Sequence, residues 1–373
     1  MLFCVMENYK ITIFDSVDDP RVEGRCLHKL SDILFIACCT LISNGEDCID
    51  MEEYGCANQE WLFNYLELPN GIPTHDTFNR VLQKLSPKSL EEVLYSQGID
   101  LVRQIAEKHI IIDGKKIKGA SPKSRGNKGL YILNAWVSGQ NLCIGQKRIE
   151  DKTNEIKEIP NLLQKIDIQS SIVSIDAIGC QKKISKQIKG QGADYILSVK
   201  DNQKNLHEEL QEIFKYAKIE EQAIEYEKDH GRVESRECLV MKAKNHLSPL
   251  LIQDWPTIEQ IIHVKSVRII KNVESKSSRY YISSAANKTA KEFNKLIRSH
   301  WSIENQLHWH LDVTFNEDDC RHRTGHAPEN LNILRKLALA KIRTQSDKKS
   351  LKKRRYRASL DKNYLAQLLL NKF

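Results

Sequence analysis

The sequence predicts a mixed α/β protein with a helical N-terminal domain and a basic C-terminal tail, and three observations carry that expectation. Between Leu30 and about Leu101 apolar residues recur at helical spacing. Beyond residue 107 short β-branched runs take over and alternate with helical segments, the pattern of a mixed sheet. Charge divides at the same place: residues 1–107 hold 8 Lys/Arg against 18 Asp/Glu, a net of −10, which leaves +18 on the remainder of a chain of formal charge +8. At 373 residues the chain exceeds one small core. The expected division is 1–107 helical, 108–343 α/β with a β-rich insertion at about 201–285, and 344–373 tail.

In the first part, Leu30, Ile33, Leu34, Ala37 and Leu41 make one helical stripe, and Trp61, Leu62, Tyr65 and Leu66 make a second. Pro69-Asn70-Gly71 breaks the pattern, and Thr74 or Asp76 is placed to cap a helix ending near Pro87. His109–Asp113 reads as a short strand ending in a carboxylate, with Gly114 as a turn. Leu130–Val137 and Leu142–Ile149 are two further strands. Helix Asn154–Ile166, strand Ser171–Asp176, helix Lys182–Ile188 and strand Ala193–Lys200 follow. Residues 201–281 begin with a helix and continue with strand-like pieces. Thr289–Leu311 reads as one long helix with Phe293, Leu296, Ile297, Ile303, Leu307 and Leu311 as its apolar stripe.

Composition narrows the function classes. Ten cysteines without a C-x-x-C pair, and no stretch that reads as a secretory leader, fit free thiols in a reducing cytoplasm. The apolar run Ile33–Ile42 is too short to cross a bilayer, so no membrane role is expected. No G-x-x-x-x-G-K-[ST] loop or G-x-S-x-G elbow is present. The His/Cys grouping from His300 to His326 lacks the spacing of a zinc site. Lys341–Ala358 holds nine bases against one acid, which suits either a polyanionic partner or a solvated tail.

Asp113 and Asp176 at the ends of apolar strands are the informative pair. Rigidly placed carboxylates take hard divalent cations, and Mg²⁺ uses few protein ligands together with substrate phosphates. Glu304 lies one turn from His300, Trp301 and His308 on the long helix. Asp312, Glu317, Asp318 and Asp319 are rival third acids, less firmly held in a turn. Strand-end aspartates also cap helices in unrelated folds.

A series of strings then resembles the DDE transposases of bacterial insertion sequences, in the branch that includes the H-repeat-associated proteins of Rhs elements. They are Gly71-Ile72-Pro73-Thr74-His75-Asp76-Thr77-Phe78-Asn79-Arg80, Ile112-Asp113-Gly114-Lys115, Asp176-Ala177-Ile178-Gly179-Cys180-Gln181 and Val199-Lys200-Asp201-Asn202-Gln203. His230-Gly231-Arg232-Val233-Glu234-Ser235-Arg236, His300-Trp301-Ser302-Ile303-Glu304-Asn305, Leu307–Val313 and Ala327-Pro328-Glu329-Asn330 complete the series, which covers nearly the whole chain.

The resemblance implies a ribonuclease-H-like core interrupted by an insertion, with Asp113, Asp176 and Glu304 as catalytic acids and metal ligands. Two Mg²⁺ ions, for which Mn²⁺ would substitute, would serve DNA strand cleavage and strand transfer at element ends. Double-stranded DNA is the expected partner and a homodimer the expected DNA-bound state. A ribonuclease-H-like nuclease without strand transfer, or a catalytically lapsed DNA-binding protein, is the alternative. Related branches carry Tyr, Arg and Lys at fixed offsets around the Glu, where this chain has Ile297, His300 and Leu311; Arg298 or His308 would have to substitute. Candidate DNA contacts are Lys115, Lys116, Lys118, Lys200, Gln203, His230, Arg232, Arg236, Arg298, His308, Lys352, Lys353, Arg354 and Arg355.

Overall fold

The computed structural model describes residues 13–103, 105, 108–120, 130–149, 155–229 and 231–370. Five helices come first: α1 (Leu30–Ile42), α2 (Cys48–Ala57), α3 (Gln59–Leu62), α4 (His75–Lys84) and α5 (Pro87–Arg103). Nearly every residue of α1 is apolar, and it is buried on all sides, as a helix without a polar face must be. Helix α4 starts directly after Thr74, although the Thr74 hydroxyl makes no capping bond.

Nine strands then build one sheet. They are β1 (Lys108–Ile117), β2 (Leu130–Val137), β3 (Leu142–Ile149), β4 (Ser171–Ile175), β5 (Asp194–Val199), β6 (Glu221–Asp229), β7 (Arg232–Lys242), β8 (Gln260–Ile270) and β9 (Val273–Ser283). The order is β3-β2-β1-β4-β5-β9-β8-β7-β6. Strands β1, β2 and β3 are antiparallel, β4 and β5 run parallel to β1, and β9 joins β5 antiparallel. The segment expected as an insertion therefore extends the central sheet.

Side chains alternate between the faces of the sheet. Ile110, Ile112, Val173 and Ile175 face α6 (Glu155–Lys165) and α7 (Lys182–Gly190), meeting Leu162, Leu163, Ile184 and Ile188. Helix α8 (Lys204–Tyr216) links β5 to β6, and α9 (Ala243–His246) and α10 (Pro249–Asp254) link β7 to β8. On the opposite face Ile172 and Ile196 meet Phe293 and Ile297 of α11 (Ala290–His300). Strand β1 does not end at Asp113. Gly114, expected as a turn, lies within it, because a Cβ there would come within 1.9 Å of Glu155 Oε1.

The long helix expected over Thr289–Leu311 changes character midway. A capping box between Thr289 and Glu292 starts α11, but after His300 the chain winds as π-helix over Ile303–His308 and His310–Thr314. Ile303, Leu307, Leu311 and Phe315 supply the reason. They recur every four residues and are all buried in the same core as α1. On an α-helix of 3.6 residues per turn a strict four-residue repeat drifts by about 40° per step. Wider turns offset that drift and keep all four in the core.

The basic segment after residue 343 also departs from expectation. It forms α13 (Leu351–Leu360) and α14 (Lys362–Leu370), and Ala358, Tyr364, Leu365 and Leu368 pack in the core with α1 and α12 (Ala327–Arg343). Arg354 and Arg355 are buried. Arg355 donates to the carbonyls of Leu41, Gly45 and Thr314, and Arg354 to Ile342, Asp347 and the Asp347 carboxylate. These guanidiniums terminate carbonyl-rich chain ends that the fold buries, so neither reaches a phosphate. A charge run reads as solvated only when its charges lack internal partners. Arg355→Ala should lower stability by about 3 kcal/mol, because it orphans three carbonyls, whereas exposed Lys353→Ala should leave the thermal midpoint within about a degree of wild type. Paired thermal melts check both.

Candidate active site

In the parallel pairing of β1 and β4, Ile112 lies opposite Ile175. The next residues along the two strands, Asp113 and Asp176, are therefore side by side. Asp176 follows the end of β4 and accepts the Ile178 N–H at 3.0 Å, which fixes its carboxylate at the start of a short 3₁₀ turn. Glu304 descends from the π-helical segment above the sheet. Asp113, Asp176 and Glu304 all line one cavity of about 680 Å³, together with Lys116, Lys118, Ser174, Lys200, His300, His308 and Asp312.

Electrostatics at the cavity is dominated by crowded carboxylates. Burial, then the charges of Asp176, Glu155 and Glu304, pushes the Asp113 carboxyl up to about 7. Burial also raises Glu304. Glu155 is a contributor that motif reading missed; its only sequence signal is its place at the start of α6, opposite a glycine. His308, 3.7 Å from Asp113 Oδ2, is held neutral by burial, down to about 3. His300 is lowered to about 4 by burial, against the pull of Asp176.

Hard oxygen donors in such a setting suit a divalent cation. Among the described residues no three of His, Cys, Asp and Glu gather tightly enough to hold one ion.

Three of the four rival third acids are occupied. Glu317 is fully buried; burial would raise it, but Lys115 and Arg335 prevail and hold it down to about 2. Lys115 is itself buried between Asp312 at 2.5 Å and Glu317 at 2.6 Å, so its ammonium is spent inside the protein and is not turned to a phosphate. Asp318 pairs with exposed Lys118 at 2.7 Å.

The other candidate contacts scatter. Lys116 and Lys200 are exposed at the cavity. Gln203 is a brace, donating to the Cys180 carbonyl at 2.8 Å. Lys352 and Lys353 are exposed on α13 but line neither this cavity nor its neighbour. His230 lies outside the described residues.

Arg232, Arg236 and Arg298 line a second cavity of about 520 Å³ with Arg268, Lys276 and Arg279. It shares Arg279, Tyr281, Ile297, Trp301, Glu304 and Asn305 with the first, so the two form one continuous groove. Arg236 is buried there among Glu225, Glu227 and Glu234, and serves the sheet more than the groove. Arg268, Lys276 and Arg279 were missed because alternation along β8 and β9 shows a face only once the pairing is known. Among the described residues no helix is long and apolar enough to cross a membrane.

A family model described as a transposase DDE domain matches residues 105–340, and one described as DDE_Tnp_1-associated matches residues 11–96. The chain belongs to the DDE transposase family. Among relatives of this transposase chain, the "H repeat-associated putative transposase YhhI" of Escherichia coli K12 is 36% identical over 363 residues, covering 95% of each chain. The "Putative transposase YncI" of Escherichia coli O157:H7 is 35% identical over 363 residues, covering 95% of this chain and 92% of that one. Among solved structures, a piggyBac transposase synaptic complex with hairpin DNA aligns with 97% of this chain and 81% of its own. The TM-score is 0.43 at 12% identity, a likeness too slight to argue from.

The raised Asp113 carboxyl sets a pH dependence. Its ordinary value is 3.8 and its folded value about 7, so the folded state holds a proton that the unfolded chain has released. Stability is thus lost as pH rises through that interval, by up to roughly 4 kcal/mol. In chelator, Asp113→Asn should melt above wild type at pH 8, and the gap should close as pH falls toward 4. A constant gap would contradict the carboxylate crowding.

Proposed function

We propose that this chain is a transposase that cuts and joins DNA at insertion-sequence ends, with Asp113, Asp176 and Glu304 as its catalytic acids. The observation that carries the reading is one cavity bordered by all three, opening into a groove lined by Arg232, Arg268, Lys276, Arg279 and Arg298. Three antiparallel strands followed by two parallel ones, in the order β3-β2-β1-β4-β5, supports the ribonuclease-H-like core that the sequence resemblance implies.

Asp113 would be shared between two Mg²⁺ ions, with Asp176 on one and Glu304 on the other, and Mn²⁺ would substitute. Bound there, the ions supply nucleophile activation and charge stabilisation at the leaving oxygen. The chain's own side chains do the rest. The acids fix where the phosphodiester sits, and the groove cations hold the flanking backbone. Water attacks the phosphodiester at the element's end and breaks its P–O3′ bond, leaving a 3′-hydroxyl on the element and a 5′-phosphate on the flank. That hydroxyl then attacks a target phosphodiester at the same site and displaces the target strand's own 3′-hydroxyl. A homodimer would bring two ends together.

Asp113→Ala, Asp176→Ala and Glu304→Ala should each abolish Mg²⁺-dependent nicking of duplex carrying the element's end while keeping the wild-type circular dichroism spectrum. Normal cutting by Glu304→Ala would remove it from the set. Joining of a precut end into plasmid by wild-type chain separates a transposase from a plain nuclease, which would cut and not join.

The groove makes its own prediction. Replacing Arg232, Arg268 and Lys276 together by Ala should weaken binding to all duplexes. It should flatten the dependence of log affinity on log salt by about 0.9 for each phosphate no longer neutralised. An unchanged slope would place the DNA elsewhere.

A further inference from the structure

Reaching the acid cavity at Ser174 and His300 is a chain of hydrogen bonds in which no carboxylate takes part. The Ser299 hydroxyl is 2.9 Å from the Leu296 carbonyl and 2.9 Å from His109 Nδ1. His109 Nε2 is 2.8 Å from Ser174 Oγ, and Ser174 Oγ is 2.8 Å from His300 Nδ1. His109 and Ser174 are buried, on strands β1 and β4, on the face that carries Asp113 and Asp176.

Only one placement of protons satisfies all four contacts. A carbonyl can only accept, so Ser299 spends its single proton on Leu296 and must accept from His109 Nδ1–H. Burial holds His109 neutral, down to about 3, so its Nε2 carries a lone pair and accepts the Ser174 proton. Ser174 Oγ then accepts from His300 Nδ1–H. His300 is also neutral, lowered to about 4, which leaves a lone pair on its Nε2. That nitrogen makes no hydrogen bond within the described residues and is not sealed off, and the ring lines the cavity.

A lone pair there repels phosphate oxygens, which carry no proton near neutrality. It can accept only from a group that carries a hydrogen, O–H or N–H. On the reading that a phosphodiester reacts in this cavity, the O–H groups brought to it are the attacking water and the 3′-hydroxyl. A metal ion is the other possible guest, but Mg²⁺ takes hard oxygen donors, which the neighbouring carboxylates supply and an imidazole nitrogen does not.

We propose that His300 is a catalytic residue that orients the nucleophile through a hydrogen bond from its O–H to Nε2, with Ser174, His109 and Ser299 as positioning residues that hold the required tautomer.

Three measurements on the full chain test this. Long-range ¹H–¹⁵N spectra should show His300 protonated on Nδ1 and bare on Nε2, without any need for activity. His300→Ala should bind Mg²⁺ with wild-type affinity in calorimetry, and should cut end DNA with kcat lowered about 10²-fold and KM unchanged. Ser174→Ala should lower kcat and shift His300 toward the other tautomer, while Ser174→Thr, which keeps the hydroxyl, restores both. A wild-type chain that cuts no DNA would bring down the phosphodiester reading and this role with it. A wild-type chain that cuts, but carries the His300 proton on Nε2, overturns the role alone. So does a His300→Ala variant that keeps its kcat or loses Mg²⁺ affinity.

Discussion

The Lys115 ammonium, buried between Asp312 and Glu317, is the contact on which the acid cavity depends. Lys115 lies two residues beyond Asp113 on the same face of β1, and Asp312 and Glu317 follow Glu304 along the chain. Glu317 also meets Asn332 at 2.8 Å and Arg335 at 3.7 Å on α12. One network thereby ties the strand of the first acid to the π-helical segment of the third, and both to the helical core. Removing one member of such a buried set leaves an uncompensated charge, at about 3–5 kcal/mol. The position of Glu304 relative to Asp113 rests on that cost.

Against this anchored frame the carboxylates themselves are in tension. Asp113 meets Asp176, Glu155 and Glu304 as like charges in a buried setting. Two buried lysines nearby are engaged elsewhere. Lys336 is fully buried and turned to Asn134 and Gln146, while Lys115 serves Asp312 and Glu317. The fold supplies the order and keeps the Asp113 carboxyl raised, the condition in which a bound cation stabilises most. Free thiols at every described cysteine add no covalent constraint, so packing and these ion pairs hold the site together.

Much of this was legible in the residues. The strands β2 and β3 begin and end where alternation and Ser138-Gly139 place them, and Asp113, Asp176 and Glu304 all reach one cavity. The errors share a physical cause: partners distant in sequence. Gly114 reads as a turn until Glu155 is seen packing over it. Lys115, Arg354 and Arg355 read as phosphate contacts because nothing local reveals Glu317 or the carbonyls of Leu41 and Thr314. The four-residue beat of Ile303, Leu307, Leu311 and Phe315 was visible, and it signals wide turns only to a reader who asks what an α-helix would do to it.

Strand β5 leaves the sheet at Val199, and β9 returns beside it with Tyr280 opposite Val199. Everything between those two residues is enclosed by a pair of neighbouring strands. A shorter chain that turned directly from Val199 into Tyr280 would make β5 and β9 a plain hairpin, but it would strip away β6, β7 and β8, against which the helix leading to Glu304 packs. The stretch of chain separating the second acid from the third is therefore a support and not a spacer: Cys238, Val240, Ile262 and Val264 seat Phe293 and Ile297, and so hold up the helix that delivers the third acid.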